Sequence, residues 1–173
     1  MEMKCSLTLG CGLLMVLAAA SVMARPVEIG TVRWGTDLDA ALAESRRSGR
    51  PVFLLFQEVP GCAGCRDFGR TVLSEDRMVR AIESHFVPVF IANNRPGREA
   101  EILRKFGEPA WNYQVVRFLD AEGRDLIPRK DRVWDTETLA ARMVRSLEAA
   151  GRPVDEGLGA LAGHGSAMPV QSP

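Results

Sequence analysis

Pro51-Val52-Phe53-Leu54-Leu55-Phe56 leads, through a turn at Pro60-Gly61, into Cys62-Ala63-Gly64-Cys65. An unbroken apolar run of this length predicts a central parallel strand covered on both faces. The turn then sets the first thiol at the opening of a helix. There the unpaired N–H groups and the positive end of the dipole favour a thiolate over a thiol. A two-residue spacer lets Cys65 reach back and close a small disulfide ring. This is the pattern of a dithiol that exchanges electrons, with Cys62 as the attacking thiolate and Cys65 resolving the mixed disulfide.

The rest of the chain frames this stretch. Its 173 residues suit one domain with a sizeable core. The formal charge is zero, with both signs interspersed, so composition points to no nucleic-acid or anionic-membrane partner. At the N-terminus Lys4 precedes an apolar stretch from Leu7 to Ala20, and Val22-Met23-Ala24 supplies small residues for cleavage. This predicts an export signal over residues 1–24, with an uncleaved anchor as the alternative. Removing it also removes Cys5 and Cys11, leaving Cys62 and Cys65 as one pair in an oxidising, periplasm-like compartment. A purely structural staple closing so short a loop would remove little unfolded-chain entropy.

Strands and helices alternate over the mature chain. Thr31-Val32-Arg33-Trp34 reads as a short strand, and Thr36 as the cap of a helix ended by Gly49. A helix is expected from Cys62 to about Val72, and Ser74 caps another carrying Met78, Val79 and Ile82 inward. Residues 86–91 form the next strand, with Pro88 at its start or in a bulge where a missing N–H does no harm. Residues 99–106 form a short helix. Residues 115–119 form a strand, turned at residues 120–123 toward a hairpin partner at Leu126-Ile127. A last helix runs from a Thr136 cap to Gly151. Residues 155–173, rich in Gly, Ala, Pro and Ser, read as a flexible tail.

This order resembles the thioredoxin-like superfamily across residues 27–150, in particular its exported thiol-disulfide oxidoreductases. The resemblance is carried by Trp34 near the first strand, the Ala-rich helix at residues 40–43, Gly49-Arg50-Pro51 leading into the CxxC strand, and Val72-Leu73-Ser74 before the second helix. It implies an α/β fold whose central mixed sheet is flanked by helices on both faces. The domain would span residues 25–154.

Two departures from the family pattern stand out. Gln114 holds the position of the usual cis-proline, where a trans bond or a rebuilt loop is expected instead. The family's buried acid, six residues before the first cysteine, is matched by Phe56, which leaves Glu58 as the nearby carboxylate. Glu58 and Arg66 are therefore candidates for tuning the thiols. Trp111, Asn112, Tyr113 and Gln114 are candidates for a substrate groove, with Trp111 plugging the core edge as the plainer reading.

No dinucleotide or phosphate-binding motif occurs, so no cofactor is expected and electrons would come from another protein. The expected partners are protein thiol or disulfide substrates and a redox partner protein, met by a monomer with no membrane contact once the signal is removed. A single CxxC supplies two of the four ligands of a structural zinc, and His85 and His164 are at no ligand spacing from it, so no metal is expected. Two-coordinate Cu(I) binding, or a partner-binding module without turnover, is the alternative function.

Overall fold

The computed structural model describes residues 25–111 and 114–163. The leader, Asn112, Tyr113, His164 and the end of the chain lie outside the described residues.

Strand β1 (Val52–Gln57) is buried at every position and forms the middle of a three-stranded sheet. Strand β2 (Val87–Ala92) pairs with it in parallel, Val52 opposite Val87. Strand β3 (Val115–Leu119) pairs antiparallel on the other side, Phe53 opposite Phe118. The sheet is therefore mixed, and both faces of β1 are covered, which accounts for its unbroken apolar sequence.

The alternation of side chains sorts the core into two layers. Phe53, Leu55, Val116 and Phe118 point to one face. They pack there under helices α2 (Ala63–Thr71), α3 (Asp76–His85), α5 (Thr136–Ala149) and α6 (Glu156–Leu161). Val52, Leu54, Phe56, Val89, Ile91 and Leu119 point to the other, under α1 (Leu38–Ser48) and α4 (Arg98–Lys105). Phe53 stacks edge-on against Phe86 and Phe118, centroids 5.9 and 5.3 Å away.

Pro88 sits within β2 rather than at its start or in a bulge, and the register runs through it unbroken. The amide of Val87 donates to Pro51 while the carbonyl of Pro88 accepts from Gly35 on the outer side. The missing N–H thus faces the sheet edge, where no ladder partner is lost.

Several expectations are corrected. Residues 31–34 form no strand: a 3-10 turn (Val27–Ile29) leads into this segment, and only Gly35 bridges to Val89. Val32 is buried, but the Trp34 amide bonds back to Val32, which closes a turn instead of extending a ladder. The helix caps are Asp37, Glu75 and Asp135, each one residue from the predicted Thr36, Ser74 and Thr136. Asp37 and Asp135 accept backbone N–H bonds through their carboxylates. Ser74 instead donates its hydroxyl to the Gly69 carbonyl. The hairpin partner of β3 is reduced to a bridge between Leu119 and Asp125 and one bond from the Leu126 amide.

The largest correction concerns residues 155–163. They are not a loose tail: Asp155 caps α6 through the Leu158 amide at 2.8 Å, and Leu158, Leu161 and Ala162 are buried against α5 and α3. The folded unit thus runs past the predicted boundary at Val154.

Candidate dithiol site

The site stands at the end of β1 where the chain turns into α2. Cys62 is the N-cap of that helix, in extended conformation, and the helix itself begins at Ala63. Cys65, Phe68, Gly69 and Val72 recur at helical spacing and face the core, which fixes the rotation of the helix. That rotation leaves Cys62 exposed and Cys65 buried. The two sulfurs lie 3.4 Å apart as free thiols.

The two thiols are driven apart in acidity. The amide of Cys65 points at the Cys62 sulfur and, with the Cys65 thiol and the Gly64 amide, holds its pKa below the ordinary thiol value, against burial and the Glu58 charge. Burial first, and then the neighbouring Cys62, push Cys65 up to about 11. Glu58 is half-buried, and its carboxylate and the two sulfurs all lie within 4.8 Å of one another. Glu58, a candidate for tuning the thiols, thus lies beside the pair. Arg66, by contrast, is exposed and donates to the Gly61 carbonyl at 2.6 Å, so its guanidinium braces the turn.

Three residues that sequence reasoning passed over complete the surroundings. Glu28, on the 3-10 turn, is 5 % exposed and accepts the Gly61 N–H at 2.9 Å. Gln57, the last residue of β1, is fully buried and donates from Nε2 to the Glu28 carbonyl, with the Cys65 carbonyl 3.4 Å away. Trp134 stands over the CxxC spacer, its ring in van der Waals reach of a side chain at Gly64 and edge-on to Phe68. Nothing in the spacing of Glu28 or Trp134 from the cysteines signals either contact.

The packing demands glycine at two points. A Cβ on Gly61 would lie 2.4 Å from the Glu58 carbonyl oxygen and 2.8 Å from Cys65 Cβ. One on Gly69 would lie 1.9 Å from the Val27 carbonyl oxygen, so α2 rests directly on the N-terminal turn.

Gln114 is buried at the predicted position and donates to the Val133 carbonyl at 2.6 Å, tying the start of β3 to the segment that carries Trp134. Trp111 is 70 % exposed with a φ of 59°, which rules out its plugging the core edge. Its amide bonds to Asn93, and the next residue, Asn94, bonds to Val59 and Pro60, so this loop shares a rim with the turn before Cys62. The Val59-Pro60 bond is cis. Asn112 and Tyr113, the other two predicted groove residues, lie outside the described residues.

A family model described as thioredoxin-like matches residues 33–121, just over half of the chain. The chain belongs to the thioredoxin-like family. Among solved structures, the DsbH oxidoreductase is similar over 82 % of this chain and 95 % of its own, with a TM-score of 0.55 and 19 % identity, a likeness of fold. A disulphide isomerase from Xylella fastidiosa Temecula1 is 21 % identical over 70 % of this chain and 93 % of its own, with a TM-score of 0.41. A thioredoxin from Thermus thermophilus is 27 % identical over 50 % of this chain and 64 % of its own, also with a TM-score of 0.41. No curated protein matches the sequence. As a thioredoxin-like protein the chain places its CxxC pair at the strand-to-helix junction. Among the described residues no helix is long and apolar enough to cross a membrane.

Proposed function

We propose that this protein is an exported thiol-disulfide oxidoreductase acting on protein substrates through Cys62 and Cys65. The observation that carries the reading is the division of labour within the pair: an exposed thiol of lowered pKa lies 3.4 Å in front of a buried thiol of raised pKa. An attacking thiol needs access and thiolate character. A resolving thiol needs to stay protonated until the mixed disulfide has formed.

The Cys62 thiolate attacks one sulfur of a substrate disulfide. The substrate's S–S bond breaks, its other sulfur leaves as a thiolate, and a Cys62–substrate disulfide forms. Cys65 then loses its proton to Glu58, directly or through a water, and attacks the Cys62 sulfur. The second substrate sulfur leaves as a thiolate that takes up a proton, and the protein retains the Cys62–Cys65 disulfide. Two electrons have passed to the substrate, and a reduced redox partner protein returns them. The same steps in reverse oxidise a substrate dithiol. Trp111 on the rim and Trp134 over the spacer supply the aromatic surface against which a peptide segment would lie. Residues 1–24 act as the export signal, delivering a monomer to the periplasm.

Cys65→Ser tests the reading. It removes the resolving thiol and leaves Cys62, so a folded variant accumulates disulfide-linked partners that Cys62→Ser does not. A folded Cys65→Ser protein that forms no mixed disulfide with a dithiol or disulfide protein substrate contradicts it.

A further inference from the structure

The Glu58 carboxylate lies against the dithiol, its oxygen and the two sulfurs all within 4.8 Å of one another. Three groups able to carry negative charge converge here, with the outer thiol open to solvent and the carboxylate half-buried. A positive species among them would turn repulsion into attraction. Among the described residues this is the place where three metal-ligating side chains come together.

We infer that the reduced protein binds a single Zn2+ ion through Cys62 Sγ, Cys65 Sγ and the Glu58 carboxylate, with water in the fourth position. The spacing is suitable: the donor atoms lie within 4.8 Å of one another and the sulfurs are 3.4 Å apart, comparable with the edges of a tetrahedral site once bonds of about 2.0–2.3 Å form. The mixed donor set selects the ion. Two thiolates alone suit Cu(I), whereas adding a hard carboxylate oxygen favours borderline Zn2+. Binding displaces the remaining thiol protons to solvent and involves no electron transfer. The ion would occupy both sulfurs, so zinc and substrate exclude each other, and oxidation to the disulfide destroys the site. The inference rests on the proposed exchange reading only in that the pair must be reducible.

The test uses chemically reduced protein, so it does not depend on turnover or on a substrate. Zn2+ is titrated against a chromophoric chelator, and Co2+ is used as a spectroscopic stand-in whose sulfur-to-metal charge-transfer band reports thiolate ligation. Reduced wild type is expected to bind one Zn2+, the oxidised protein none. Glu58→Gln, nearly isosteric on a partly exposed loop, is expected to weaken Zn2+ binding about tenfold or more while circular dichroism and the count of reactive thiols stay unchanged. Cys65→Ser provides a second variant and is expected to abolish the charge-transfer band. Equal affinity in wild type and Glu58→Gln would overturn the three-ligand site. So would reduced protein, with both thiols titrating, that binds Cu(I) but competes for no Zn2+. Mixed-disulfide trapping that succeeds while zinc binding fails would overturn this inference alone.

Discussion

The buried carboxylate of Glu28 accepts the amide of Gly61 at 2.9 Å, joining the N-terminal turn to the residue that precedes Cys62. Gln57 and Gly69 hold the same turn from below, through the Glu28 carbonyl and the Val27 backbone. The loop that presents Cys62 is thus braced from a part of the chain 33 residues away. Glu28→Ala leaves the Gly61 N–H without its acceptor and is expected to cost about 1–3 kcal/mol. It also loosens the turn, so Cys62 should react more slowly with iodoacetamide at neutral pH. Glu28→Gln keeps an acceptor oxygen and should recover most of both losses. Thermal melts and alkylation rates measure them.

The divided acidity of the pair gives a pH prediction. At neutral pH iodoacetamide should modify Cys62 and spare Cys65, and the midpoint of the Cys62 rate profile should fall below the ordinary thiol value of 9.0. Stability of the reduced form should follow with two signs. The lowered Cys62 pKa contributes stability that is present above pH 9 and lost as pH falls through its folded value. The raised Cys65 pKa contributes stability that is complete below 9 and lost as pH rises through about 11. Alkaline denaturation should therefore begin earlier for reduced protein than for Cys65→Ser.

Glu108 anchors a buried ion network that sequence reasoning did not find. Its side chain is 2 % exposed and lies 2.8 Å from Arg117 and 2.7 Å from Arg129. Burial pushes its pKa up, but hydrogen bonds from Arg129 and then Arg117 outweigh that and leave it lowered. Its contribution is present above the ordinary value near 4.5 and lost as pH falls through the lower folded value. Glu108→Ala removes the buried carboxylate that Arg117 and Arg129 share, leaving each with one remaining carboxylate, Asp125 and Asp131, and is expected to cost about 1–3 kcal/mol. Urea unfolding of wild type and variant should converge in acid.

Leu158 is fully buried beneath α5 and α3. Leu158→Ala should cost about 2–5 kcal/mol, and truncation after Val154 should cost more because it also removes Leu161, Ala162 and the 2.7 Å pairing of His85 with Asp155. A truncated protein with unchanged unfolding would refute the structural role of α6.

Much of this architecture is legible in the sequence where apolar patterning is long. β3 matches its expected range, β1 extends one residue beyond the apolar run, and α5 faces inward on Leu139, Ala140, Met143 and Leu147. Patterning fails where neighbouring polar residues compete. Thr36 and Asp37, Ser74 and Glu75, and Asp135 and Thr136 are all plausible cap positions, and backbone geometry decides among them by a single residue. The helix near the C-terminus was masked by glycine and alanine, although Leu158, Leu161 and Ala162 stand at helical spacing. The cysteines and Glu58 were visible because they are close in sequence. Glu28, Gln57 and Trp134 reach the site only through tertiary packing, so local spacing carries no trace of them.

The most direct test of dithiol exchange is a redox titration of residues 25–173 in glutathione and dithiothreitol buffers, with thiols trapped and counted by mass. The account predicts a reversible two-electron transition in which Cys62 and Cys65 change state together, with a single midpoint. A pair that stays oxidised or stays reduced across the whole range, in folded protein, would contradict it.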